Sequence, residues 1–530
     1  MTEPVDSEPL ENAATLWELV ERRAAATPDT TLLIDEGGRA LTCEQFRDRA
    51  ERTAAGFAAL GVDHGTRVTW QVPNRFETIL ASFALARLGA IQNPILHLYR
   101  HKEVGYAIGA TDAELVLTPG EWNGFDYEAM VHELIADRAA SLTTQPQVIN
   151  IFTDLPDGDP ASLPPAPTAG DEVRWVYFTS GTTSDPKGVR HTDRTLITGA
   201  NGLAVALDMA PDDVGSIGFP FAHIAGPDYF GMMLLAGFGA VLIEAFTPAG
   251  AVAAFNTHGA TMAGGSTAFY QMYLAEQRKH PDTPLIPSLR KLSGGGAPMP
   301  PEVYEEVRRE MGVQICHGYG MTECPMIAMG GPHDTDEQLA NTVGKPVVGL
   351  EMRIVTDDGT VAAAGVDGEV RVKGPMVFEG YTNEAATAEA FDDDGWFRTG
   401  DVGHLRPDRH LVLTGRLKDI IIRKGENIAA KEIEDALYAH PKVGDVAVVG
   451  LPDRERGERV CAVVQRPDGA SPVDDLTLEE MVAYLADQQL ARFKTPEQLE
   501  VVDALPRNDT LGKILKYKLR EDLATKPWPS

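Results

Sequence analysis

Short apolar runs alternate with segments of helical period along the first third of this chain, and few architectures accept that order. Thr42 and Gln45 stand at capping-box spacing, and Phe46, Ala50, Ala54, Phe57 and Leu60 then recur at threes and fours before Gly61. This predicts a helix with both ends marked. "RVTWQVP" follows as a strand, "RFETILASFALARLG" as a helix, "AIQNPI" as a strand, and "AELVLTP" as a further strand after a short helix. Such an order builds βαβ units around a mostly parallel sheet. The Pro-, Gly- and Asp-rich stretch at 155–172 reads as a surface linker before the strand "VRWVYFTS".

A second alternating stretch runs from about residue 213 to 326, and "EMRIVTDDGTVAAAGVDGEVRVKGP" predicts a small β unit of short strands and turns. After Arg416 the texture changes to a compact α+β module. At 530 residues the chain exceeds one ordinary core, so about two to four structural units are expected. The fold class expected is therefore α/β and α+β: two parallel-sheet subdomains and a small β unit, then a small C-terminal module.

Lysine and arginine number 47 against 78 acidic residues, a formal net charge of −31 that repels nucleic acid and anionic lipid. Neither is expected as a partner. Four cysteines, with no CxxC pair, point to a reducing compartment and away from structural zinc, and the N-terminus shows no basic n-region or apolar h-region. A cytoplasmic protein is expected. The apolar run "YFGMMLLAGFGAVLI" at 229–243 is short for a bilayer span and reads as a buried helix running into a strand.

The loop in "YFTSGTTSDPKGV", 177–189, leaves the end of a predicted strand with glycine, hydroxyls and a lysine, a composition suited to phosphate. It is not a Walker A loop, because Lys187 precedes Gly188 with Val189 behind it. Alone it is also compatible with a polar surface turn. Four further stretches accompany it: "HGYGMTE" at 317–323, "FRTGDVGHL" at 397–405, "TGRLKDIIIRKGENI" at 414–428 and "LPRNDTLGKILKYKLR" at 505–520. In this order and spacing the five stretches resemble the adenylate-forming superfamily, which holds acyl-CoA synthetases, luciferases and non-ribosomal adenylation domains. The resemblance covers nearly the whole chain.

The resemblance implies a large adenylation domain over 1–417, a C-terminal lid over 418–530, and ATP, Mg²⁺ and CoA as cofactors. A carboxylate would join the α-phosphorus of ATP, expel pyrophosphate and pass its acyl group to a thiol. Two anions must meet, so the site must work by positioning and charge neutralisation. By the family pattern, Thr179, Ser180, Gly181, Thr182, Thr183 and Lys187 would hold the β- and γ-phosphates. Glu323 would bind Mg²⁺, and Thr322 the α-phosphate. Gly294, Gly295, Gly296 and Ala297 would lie along the adenine with Tyr319 and Gly320, and Asp401 would bind the ribose beside Arg416. Lys513 matches the catalytic lysine, Lys418 the hinge, and Gly425 the wall of the pantetheine tunnel. Two departures stand out: Ser184 replaces the usual glycine, and "LGK" at 511–513 the usual "TGK".

Each residue alone has a plainer reading. Lys187 reads as a solvated lysine, Glu323 as a helix-start carboxylate, Asp401 as a turn residue, and Lys513 as one of a charged face with Lys516, Lys518 and Arg520. Lys418 and Gly425 stay open between structural and functional roles. His97, His101, Cys316 and Cys324 carry no assigned chemistry. "AHIAGPDYFGMM" and "AGGSTAFYQMY" are expected beside the acyl site, with His223, Gly226, Ser266 and Gly318 as lining. Phe230, Met233, Thr267 and Phe269 are further wall candidates, though a Phe- and Met-rich helix is more often plain core.

An apolar acid of medium-chain, alicyclic or aromatic type is the expected substrate of an acid–CoA ligase. Loading of a carrier-protein phosphopantetheine is the second enzyme reading; no carrier segment follows Ser530, so that partner would be separate. A catalytically inactive sensor of acyl-adenylate or AMP is the third. One chain suffices for the chemistry, and a homodimer is compatible with it.

Overall fold

The computed structural model of the protein describes residues 10–138, 142–179, 186–423, 426–453, 457–467, 469–488, 490, 492–507, 513–524 and 526, with side chains excepted at 418, 426, 427, 457 and 493. The predicted alternation folds into a six-stranded sheet in the order Lys187–Thr192, Val173–Thr179, Ile91–Pro94, Arg67–Trp70, Leu115–Thr118, Gln147–Asn150. All neighbours run parallel except the first pair, which is antiparallel. The marked helix is Cys43–Ala59, and both bonds of its capping box form: Gln45 N–H donates to Thr42 Oγ1 at 3.3 Å and Thr42 N–H to Gln45 Oε1 at 3.1 Å. Phe46, Ala50, Ala54 and Phe57 are buried as the spacing predicts, whereas Leu60 is the C-cap and 45% exposed. The apolar stripe ends one turn earlier than the spacing suggests, because the last turn has already left the core.

The second alternating stretch is divided between two sheets. Met262–Gly265, Lys291–Gly294 and Gln314–Met321 run parallel, and the chain then turns back through Cys324–Met329, which pairs with Lys345–Pro346. Val214–Ile217 and Gly239–Leu242 belong to another sheet, whose other members, Thr31–Asp35 and Ala40–Thr42, come from the N-terminus. The second unit is therefore not contiguous in sequence. The run at 229–243 behaves as predicted: helix Ala225–Ala236 ends at Gly237, whose φ of +82° suits glycine, and strand Gly239–Leu242 follows. Phe230 and Met233 on this helix are fully buried, and Phe230 packs on Phe83 with ring centroids 4.6 Å apart. These two wall candidates are core.

The predicted β unit is a four-stranded antiparallel sheet, Glu351–Val355, Gly368–Lys373, Phe397–Leu405 and Leu411–Arg416. A 3₁₀ turn, Leu417–Asp419, leads directly into Ile420–Arg423, a strand of the C-terminal sheet. That sheet packs helices Ala430–Tyr438 and Leu478–Asp487 over a core of its own, including Ile428, Ile433, Met481 and Leu485. The molecule thus has a large N-terminal part of α/β subdomains and a β unit, and a smaller α+β C-terminal module. All four cysteines, Cys43, Cys316, Cys324 and Cys461, are buried and unpaired, and burial pushes the Cys316 and Cys461 thiols up to about 12. Among the described residues no helix is long and apolar enough to cross a membrane.

Candidate active site

A cleft of about 2130 Å³ opens between the N-terminal part and the C-terminal module. The ends of parallel strands feed it, where open α/β sheets present their loops. Thr179 closes one such strand and faces Lys187 across an antiparallel pair. Lys187 Nζ stands 4.9 Å from the Tyr381 ring centroid. Ser180, Gly181, Thr182, Thr183 and Ser184, like Gly425 and Leu511, lie outside the described residues.

Thr322 and Glu323 form the two-residue turn between Gln314–Met321 and Cys324–Met329, with Met321 opposite Cys324. Glu323 is a hairpin carboxylate, not a helix-start one. Its Oε1 accepts from the Tyr381 hydroxyl at 2.7 Å, and its carbonyl accepts from Phe378 N–H at 2.9 Å. His191 holds the other half of the turn: Nε2 donates to the Thr322 carbonyl at 2.6 Å, and Nδ1 lies 2.9 Å from Thr195 Oγ1. Burial lowers His191 to about 4, so the ring is neutral and Nε2 carries the hydrogen. The sequence does not single out His191 or Tyr381, since their contacts are made across elements far apart in the chain.

Asp401 is 3% exposed and sits on strand Phe397–Leu405 opposite Arg416, whose Nε donates to it at 2.8 Å. The Tyr319 hydroxyl, from a different sheet, donates to its second oxygen at 2.5 Å. Burial, then the Asp401 charge, pushes the Tyr319 phenol far up, and the same charge raises Arg416. The carboxylate is thus fixed from two sides.

Gly294, Gly295, Gly296 and Ala297 line the cleft with Gly318, Tyr319 and Gly320. A Cβ at Gly294 would lie 2.1 Å from the Gly265 carbonyl oxygen, and one at Gly295 2.5 Å from that of Gly318, so side chains are excluded by close backbone approach. His317 Nε2 bonds the Ala297 carbonyl at 3.0 Å and holds the turn.

From the opposite lobe Lys513 reaches the same cleft. Its charge, after burial, is what lowers His223 to about 4. The two residues, from opposite sides, are within electrostatic reach of one another. His223 Nδ1 accepts from Ala225 N–H at 3.2 Å, which leaves Nε2 as the protonated nitrogen of the neutral ring. Lys516 and Arg520 are engaged inside the C-terminal module, with Glu434 and Asp419, each at 2.7 Å. Gln271 Nε2 donates to Tyr438 Oη at 2.7 Å across the two lobes.

Thr267 and Phe269 line the cleft, whereas Gly226 and Ser266 stand behind its wall. At Gly226 a Cβ would fall 2.0 Å from the Phe221 carbonyl oxygen, so this glycine serves the tight entry to its helix. Lys418 lies in the 3₁₀ turn Leu417–Asp419 between the lobes. Among the described residues no three His, Cys, Asp or Glu side chains converge as a metal cage. Glu323, a carboxylate on the cleft wall, would suit a Mg²⁺ ion as a hard oxygen ligand.

The model of the AMP-binding enzyme family matches residues 20–382, and that of the AMP-binding enzyme C-terminal domain matches 432–512. A medium-chain fatty-acid–CoA ligase of Escherichia coli (strain K12) is 31% identical, covering 96% of this chain and 90% of the relative. A salicyl-AMP ligase / salicyl-S-ArCP synthetase of Mycobacterium tuberculosis is 32% identical, covering 97% of this chain and 92% of the relative. Among solved structures, ATP-bound MatB from Rhodopseudomonas palustris superposes with a TM-score of 0.85 at 27% identity, covering 97% of this chain and 99% of that one.

Proposed function

Because the chain belongs to the AMP-binding enzyme family, we propose that its cleft residues divide one two-step acyl transfer among them and that its acid is apolar. It is an AMP-forming acid–CoA ligase that uses ATP, Mg²⁺ and CoA. A carboxylate oxygen bonds to the α-phosphorus of ATP as the bond to the β-phosphate oxygen breaks and pyrophosphate leaves. The thiol sulfur of CoA then attacks the acyl carbonyl, its proton is lost, and AMP departs.

In this assignment Thr179 and Lys187 bracket the loop that holds the β- and γ-phosphates. Thr322 meets the α-phosphate, and Glu323, oriented by Tyr381, is the protein ligand of Mg²⁺, which neutralises phosphate charge. Asp401 takes the ribose hydroxyls, held by Tyr319 and Arg416, while the backbone at Gly294, Gly295, Gly296 and Ala297 lies along the base. Lys513 steadies the charge that passes from carboxylate to phosphate, a stabilisation that acts mainly in the transition state. Support comes chiefly from one observation: Lys513 and the Thr322–Glu323 turn, from separate lobes, line a single cleft. The lobes divide at 417/418, and rotation about Lys418 would exchange Lys513 for the face that receives CoA.

Phe219, Phe269, Met272 and Met326 on the cleft wall favour an apolar acid. The carrier-loading relative keeps a protein-bound thiol as a second acceptor. The absence of CxxC pairs supports a cytoplasmic location, and a homodimer is compatible with the chemistry.

Pyrophosphate release from ATP, measured over straight-chain, alicyclic and aromatic acids with and without CoA, tests the proposal. Acid-dependent release that turns over only with CoA is the expected result. Release confined to strongly polar acids would remove the apolar assignment, and turnover only with an added carrier protein would replace CoA as acceptor.

A further inference from the structure

The cleft carries a buried carboxyl that the proposed chemistry does not use. Asp228 lies in the first turn of helix Ala225–Ala236, lines the cleft and is 2% exposed. Its Oδ1 is buried and has no hydrogen-bond partner among the described residues. Leu203, Ile224, Pro325 and Met326 line the same cleft, so the surroundings are largely apolar. Space for the carboxyl is made by Gly199, where a Cβ would fall 2.6 Å from Oδ1. Nearby, the buried Tyr177 hydroxyl is also without a partner, and its phenol is pushed far up by burial and then by Asp228. Buried polar groups are normally hydrogen-bonded, and exceptions in a ligand cleft mark where a ligand supplies the missing partner.

We propose that Asp228 is a specificity-determining residue for the acid, and that the acid carries, besides its reacting carboxylate, a hydroxyl that hydrogen-bonds the buried Asp228 carboxyl. This rests on the acid–CoA ligase reading and narrows its substrate from apolar acids to hydroxylated ones. Burial alone pushes Asp228 up to about 8, so at neutral pH the group is a neutral carboxyl that both donates and accepts. A hydroxyl matches that pair of capacities. A site built to bond a hydroxyl discriminates strongly against an analogue lacking it, because its own polar atom is then left unpaired.

The test uses matched acids, cyclohexane- and benzene-carboxylates with a hydrogen or a hydroxyl at each ring position, and follows pyrophosphate release by the full chain and by Asp228→Asn and Asp228→Leu. For the unaltered protein we expect at least one hydroxylated isomer to exceed its parent by about tenfold or more in kcat/KM. Asn, neutral and of the same shape, should keep the preference, and Leu should bring the ratio of hydroxylated to parent acid to about one. Equal rates for every pair in the unaltered protein would overturn the inference while leaving the ligase reading in place. So would a preference that survives in Asp228→Leu. Release with none of the acids would instead count against the ligase reading itself. Should the Leu variant fail to fold, the pairwise ratios of the unaltered protein and the Asn variant still decide.

Discussion

Lys513 carries the largest share of the proposed chemistry, and its side chain is the one to remove first. In Lys513→Ala, adenylation should fall by about 10²- to 10³-fold, the loss typical of a group that stabilises developing charge, while ATP binding by calorimetry and the melting curve stay as they were. Unchanged adenylation would remove Lys513 from the mechanism. Position alone does not distinguish it in the sequence, where it begins a run with Lys516, Lys518 and Arg520; only the motif around it does. The structure adds a reason: Lys516 and Arg520 are paired within their own module, and Lys513 acts on His223 across the cleft. Residues such as His191, Tyr381 and Asp228 escape a sequence reading for one shared cause. Their roles arise from a carbonyl, a carboxylate or a void contributed by another element, and no local pattern records such a neighbour.

Helix Cys43–Ala59 shows how much an element can declare by itself. Its capping box, its buried spacing and its end are all written locally, and Thr42→Ala should cost about 1 kcal/mol in urea unfolding by orphaning the Gln45 N–H. Strand Thr31–Asp35 shows the opposite. One neighbour, Ala40–Thr42, is local, but the other is Gly239–Leu242, about two hundred residues on, and pairing at that distance depends on topology that the local pattern does not carry. The 3₁₀ turn Leu417–Asp419 joins the two modes: the change in texture after Arg416 marks it, and the hinge role proposed for it would depend on motion. Lys418→Pro should leave pyrophosphate release within about twofold and abolish thioester formation, because a proline fixes φ where a hinge must change it. Equal loss of both half-reactions would show that the turn is not a hinge.

For the molecule as a whole, the buried titratable groups set how stability follows pH. His191, His223 and His317 are each held at about 4, against about 6.5 when unfolded, so between those values the unfolded chain binds more protons and stability falls as the pH is lowered. Asp228 works the other way: at about 8 when folded and 3.8 when not, it keeps its proton in the folded state, and stability falls as pH rises through that window. The histidines outweigh the carboxyl below about 6.5, and above it the carboxyl's contribution prevails. The unfolding free energy from urea titrations should therefore rise from pH 5 to about 6.5 and then decline toward pH 8, the decline by up to about 1.4 kcal/mol per pH unit for the one proton, and Asp228→Asn should flatten it. A free energy still climbing at pH 8 would mean that Asp228 is ionised in the fold. The order of elements, the small β unit and the C-terminal module are legible from sequence, because each is encoded by a local period. The cleft is not, since it exists only once both lobes have folded. Its working can nevertheless be watched, because the chain's own thiols are all shut inside the core. Cysteines introduced at Val205 and Val473, 60% and 88% exposed on opposite lobes, would be the accessible sites for a donor and an acceptor dye. Energy transfer between the two would then turn each catalytic cycle into a trace of light from a single molecule.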